Sequence, residues 1–136
     1  MDLNQFTEKA AAAWAEAQNI ATRRQHQALD VEHLLRALID QEGGLAAPML
    51  ERAGVSPNLL RSKLDSELAK IPQVSVGDGS PGGAYVTQRL NRLLVRAQDE
   101  AKKLKDEYVS VEHLILAALE EPASSPAGRI FKELGV

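Results

Sequence analysis

Val31-Glu32-His33-Leu34-Leu35 recurs 80 residues later as Val111-Glu112-His113-Leu114-Ile115. Working outward at the same spacing, Thr7 falls on Thr87, Ala17-Gln18 on Ala97-Gln98, Ala21 on Ala101 and Ala37 on Ala117. Past a single-residue gap, Leu50 meets Phe131 and Gly54-Val55 meets Gly135-Val136. The match extends over most of residues 6–55 and 86–136, too far for chance, so the chain is a duplicated unit.

Each copy reads as a series of amphipathic helices. Phe6, Ala10, Ala13, Trp14, Ala17 and Ala21 share one helical face in copy one. Leu90, Leu93, Leu94, Ala97, Ala101 and Leu104 do so in copy two. Thr7 and Thr87 are N-cap candidates, because a threonine oxygen can accept from the orphan N–H groups of a first turn. Asp30 and Ser110 cap the second helices, whose first turns carry Glu32 and Glu112, where the helix dipole favours an anion. Val31, Leu34, Leu35, Leu38 and Val111, Leu114, Ile115, Ala118 supply the buried faces.

A short third helix carries Met49 and Leu50, matched by Ile130 and Phe131, with Gly54 and Gly135 as stops. Copy one continues into a fourth helix, capped by Ser56 with Pro57 in its first turn and facing inward with Leu60, Leu64, Leu68 and Ile71. Copy two ends where that element should begin, which suggests a fragment of a longer protein. Pro72 to Ala84 holds Gly77-Asp78-Gly79-Ser80-Pro81-Gly82-Gly83, a flexible linker by composition. The expected fold class is all-α. One domain spans 1–136, with repeat one at 1–72, a linker at 73–85 and repeat two at 86–136. The two repeats are four-helix-type, related by a pseudo-two-fold axis, with the last helix of repeat two missing. A groove is expected between them.

Composition narrows the function. The 16 basic and 19 acidic residues give a net charge of −3 without like-charge blocks, a poor match for phosphate backbones and hence for nucleic acid. Apolar runs are only a few residues, far short of the ~20 a membrane span needs. MDLNQFTEKA shows no basic segment ahead of an apolar one, so no signal peptide is read and a cytoplasmic location is expected. With no cysteine, disulfides and cysteine metal sites are excluded.

Catalytic patterns are also missing. Gly77 and Gly82 have P-loop separation, but Gly83 stands where lysine is needed and no strand precedes. His26, His33 and His113 lack the i to i+3–5 pairing of zinc ligands, so His33 and His113 read as helix-start residues packed near the pseudo-symmetry axis. Ser75, Ser80, Ser124 and Ser125 lack a nucleophile elbow. What remains is recognition through a helix-lined surface.

Phe6-Thr7-Glu8-Lys9-Ala10 and the twin Val-Glu-His segments resemble the Clp N-terminal repeat domain of Clp/Hsp100 AAA+ unfoldases. Gln41-Glu42-Gly43-Gly44, Ile71-Pro72-Gln73-Val74 and the stretch from Leu104 to Leu114 are similar to the ClpB branch, the disaggregases. The resemblance implies a non-catalytic module that binds unfolded or aggregated polypeptide in an apolar groove between the repeats. ATP and Mg would belong to absent AAA+ domains, and no cofactor to this fragment. The parent would be a homohexamer working with a DnaK-type chaperone, and the fragment a monomer. The substrate-binding residues it implies are Thr7, Leu94, Asp106 and Glu112. His113 departs from some relatives that are apolar there, which implies a more polar, pH-sensitive groove. Each has a plainer reading: Thr7 as a cap, Glu112 as a dipole partner, Asp106 as a solvated loop acid, and Leu94 and Trp14 as core. The alternative is an adaptor-docking domain of ClpA/ClpC type.

Overall fold

A computed structural model describes residues 3–74 and 84–136. After a 3-10 turn at Leu3–Gln5 come α1 (Glu8–Arg23), β1 (Ala28–Leu29), α2 (Val31–Ile39), α3 (Ala46–Arg52) and α4 (Pro57–Ala69). The second half holds β2 (Tyr85–Val86), α5 (Gln88–Lys103), α6 (Val111–Ala118) and α7 (Pro126–Glu133). The fold is all-α, as the periodicity requires, but two short strands were not foreseen. Of the expected linker 73–85, residues 75–83 lie outside the described residues, and Tyr85 belongs to β2.

The duplication is kept in backbone detail. α1 and α5 both run for sixteen residues, displaced by the repeat spacing. Thr7 Oγ1 accepts from the Ala10 N–H at 3.2 Å, and Thr87 Oγ1 from the Leu90 N–H at 3.1 Å. Both helices leave through a left-handed residue that is not glycine, Gln25 at φ 58° and Lys105 at φ 59°. The strain at each is offset by a bond across the last turn, from His26 N–H to Ala21 O at 2.9 Å and from Asp106 N–H to Ala101 O at 2.8 Å. Gly54 and Gly135 end α3 and α7 with positive φ, where glycine meets no Cβ penalty.

One hydrophobic core contains residues of both repeats. α2 and α6 meet at its centre, α4 packs on α2 and α7, and α3 on α6. Fully burying a leucine contributes roughly 1.5–3 kcal/mol, so Leu34, Leu35, Leu38, Leu60, Leu64, Leu90, Leu93 and Leu114 dominate stability. Trp14 is core, with Phe6 edge-on at 6.5 Å. Two expected core positions lie elsewhere. Leu104 is the C-cap of α5 and is 58% exposed, because the helix ends before it can turn inward. Ile71 follows the end of α4 and is only half-buried.

Candidate functional site

Two seams join the repeats, and the internal symmetry relates them. At the first, β1 and β2 run parallel: Tyr85 N–H donates to Gln27 O at 3.0 Å and Thr87 N–H to Leu29 O at 3.1 Å. At the second, Phe6 bridges Val109 in the same sense: Thr7 N–H donates to Val109 O at 3.0 Å and Val109 N–H to Gln5 O at 2.7 Å. Each repeat's leader thus pairs with the loop before the other repeat's second helix.

The side chains do not follow this symmetry. At the first seam Arg89 bonds Glu32 through both terminal nitrogens, at 3.3 and 2.8 Å. It also donates to Asp30 Oδ2 at 3.1 Å and to Glu121 Oε1 at 2.8 Å. Glu32 Oε2 accepts the Ala127 N–H at 3.0 Å, and Thr87 Oγ1 donates to Asp30 Oδ1 at 2.8 Å. The side chains of Glu32 and Glu121 are 4% and 2% exposed. Burial opposes the charge on Arg89, but the carboxylates of Glu32, Glu121 and Asp30 outweigh it and hold its pKa above the ordinary value. Nothing in the dipole reading of Glu32 pointed to this cluster; the only sequence signal was that Arg89, Asp30 and Glu121 differ from their repeat counterparts Lys9, Ser110 and Gln41.

Inside each repeat a histidine replaces the usual acid of a capping box. Asp30 N–H donates to His33 Nδ1 at 3.0 Å, and Ser110 N–H to His113 Nδ1 at 2.8 Å. With Nδ1 accepting, a neutral ring carries its proton on Nε2. His33 Nε2 then faces His26 Nδ1 at 2.8 Å, whereas His113 Nε2 faces Asp106 Oδ2 at 2.9 Å. His26 and Asp106 occupy equivalent repeat positions. Burial, then the neighbouring His26, lowers the His33 pKa to about 4, and burial lowers that of His26. Zinc spacing rules overlooked the His26–His33 pair, which is seven residues apart. Among the described residues no cluster of three or more His, Asp or Glu has metal-site geometry.

Thr7, Leu94, Asp106 and Glu112, which the resemblance implies, and His113, where the chain departs from some relatives, are placed as follows. Thr7 caps α1 and ties it to Val109. Asp106 sits half-exposed on the loop after α5 and accepts from His113, which is itself buried. Glu112 is exposed in the first turn of α6 and has no partner among the described residues. Leu94 belongs to the core at 2% exposure, so an incoming chain reaches it only if helices part. A cavity of about 350 Å³ opens at the second seam, lined by Gln5, Gln98, Ala101, Lys102, Asp106, Glu107 and Val109. Most of these side chains are polar; the exposed apolar residues nearby in sequence are Leu104 and Tyr108.

The chain is a duplicated helical domain whose two repeats meet at two symmetry-related seams. Residues 5–134 match the model of the Clp repeat (R) N-terminal domain. The chain is 52% identical over all 136 residues to Chaperone protein ClpB of Nitratidesulfovibrio vulgaris, covering 16% of that protein. It is 43% identical over 121 residues, 89% of the chain, to Chaperone protein ClpB of Bacillus cereus, covering 14% of it. The Hsp104 N-terminal domain of Candida albicans superposes with a TM-score of 0.80 at 25% identity, over 97% of this chain and 83% of that one. The ClpV N-domain in complex with VipB peptide shares the fold, with a TM-score of 0.77 at 19% identity, over 98% of this chain and 81% of that one. The chain belongs to the Clp N-terminal repeat domain family, and the two chaperone relatives are ClpB proteins that it covers for about a sixth of their length or less. No helix among the described residues is long and apolar enough to cross a membrane.

Proposed function

We propose that this domain captures unfolded or aggregated polypeptide for a ClpB-type disaggregase, at the second seam between its repeats. The observation that carries this reading is the cavity between Gln5 of repeat one and Asp106 and Val109 of repeat two. Whole-chain identity to ClpB proteins supports the chaperone class, and the ClpV N-domain structure shows that a domain of that fold holds a peptide in ClpV. Glu112 and Asp106 form a polar rim, and Thr7 and His113 position the loop between them. Leu94 supports the surface from beneath.

On this reading ATP and Mg²⁺ act in AAA+ domains outside this chain, and the domain itself carries out no catalysis. The full-length protein would be a cytoplasmic homohexamer cooperating with a DnaK-type chaperone. A single domain binds weakly, because ordering a disordered client offsets much of the ~25 cal/mol per Å² gained by burial. Six domains raise avidity without new contacts. An NMR titration with an unfolded, aggregation-prone protein tests this, with a native protein as control. Shifts at Gln5, Asp106, Val109 and Glu112 with the unfolded protein alone are expected. Shifts with the native protein alone would replace client capture by docking of a folded adaptor.

A further inference from the structure

The symmetry makes a comparison possible within one molecule. Every acceptor that holds Arg89 at the first seam has a counterpart at the second: Ser110 for Asp30, Glu112 for Glu32 and Gln41 for Glu121. The counterpart of Arg89 is Lys9, and it is turned away. Its Nζ donates to Glu42 O at 2.9 Å, and its carbonyl accepts from Gln41 Nε2 at 2.7 Å, both within repeat one. Glu112 is left in solvent, and Gln41 Oε1 is a buried acceptor with no partner. The second seam therefore keeps its short backbone bridge and a Gln98–Gln5 side-chain bond at 3.1 Å, but no ionic cross-link among the described residues. Further ion pairs, Lys63–Glu133 and Arg129–Glu67, also cross between the repeats through α4, which packs on α2 and α7.

We propose that Arg89 is a positioning residue that clasps one of two symmetry-related seams, so that the repeats part at the other and admit client polypeptide beside Lys9, Ser110 and Glu112. Arg89 suits this role because its planar fork serves three carboxylates on two repeats at once, which a lysine cannot do. The side of admission rests on the client-capture reading; the clasp itself does not.

The symmetry also supplies the test. Lys9→Arg, Gln41→Glu and Ser110→Asp together give the second seam the residues of the first, Glu112 being already present. Hydrogen exchange is measured by NMR on the wild-type chain, on this triple variant and on Arg89→Lys, each first checked for helical content. In the wild type, the Val109 amide is expected to exchange at least tenfold faster than the Thr87 amide. Arg89→Lys speeds Thr87 and leaves Thr7 and Val109 unchanged. The triple variant slows Thr7 and Val109 at least tenfold, and its affinity for an unfolded client falls at least fivefold. Unchanged exchange at Thr7 and Val109 in the triple variant overturns the clasp. Slowed exchange with undiminished affinity overturns the second seam as the place of admission. A wild-type chain that binds no unfolded client refutes the capture reading, and with it the admission step, while the exchange rates still decide the clasp.

Discussion

His33 Nε2 lies 2.8 Å from His26 Nδ1, the second link of a relay that runs from the Asp30 N–H through both rings. The relay connects the start of α2 to the turn after α1, and it needs both rings neutral. A proton on His33 Nδ1 would break the capping box and set a charge beside His26 and Arg24, with Asp30 alone to favour it.

The sign of the pH effect follows. The folded pKa of His33, about 4, lies below the unfolded value of 6.5, so the unfolded chain binds more protons between them. Stability from this group is full above pH 6.5 and is lost as pH falls towards 4. Thermal unfolding monitored through the buried Trp14 should show the midpoint falling across that window. His33→Gln retains a capping-box side chain that does not titrate, and should flatten the dependence.

Arg89→Met should destabilise the domain by about 3–5 kcal/mol, because Glu32 and Glu121 would stay buried without their counter-charge. Urea unfolding measures the loss. Arg24→Met, at a partly exposed pair with Asp65, should cost under about 1 kcal/mol.

Leu94→Ala should cost about 2–5 kcal/mol, as for other large-to-small core changes. If this variant binds client less well in proportion to its unfolded fraction, Leu94 acts through the core. A loss of binding at full folding, judged by circular dichroism alongside the titration, would show that a client reaches it.

Gly128 is a packing glycine rather than a flexible one. A Cβ there would sit 2.0 Å from Pro122 O, backbone that cannot swing aside. Gly128→Ala should destabilise α7 by about 1–3 kcal/mol or more. The change appears as a lower denaturation midpoint with early loss of the Ala127 amide signal.

Helices, caps and the duplication were legible because each depends on residues close in sequence. A threonine three residues before the N–H it caps, or leucines three and four apart, state their geometry locally. The same locality explains the errors. Leu104 continued the apolar spacing, but the helix ended at Lys103, and periodicity alone carries no stop signal. The β1–β2 pair escaped notice because two-residue strands have no period to read.

The sequence alone determined a two-fold repeat of helices, its family and its core. Only the tertiary structure decided that the two halves are joined unequally. Arg89 meets Glu32 across 57 residues of chain, and Lys9 fails to meet Glu112 although the residue types would allow it. Which charge is buried beside which depends on how the whole core closes, and side-chain reach across a seam has no signature in neighbouring residues.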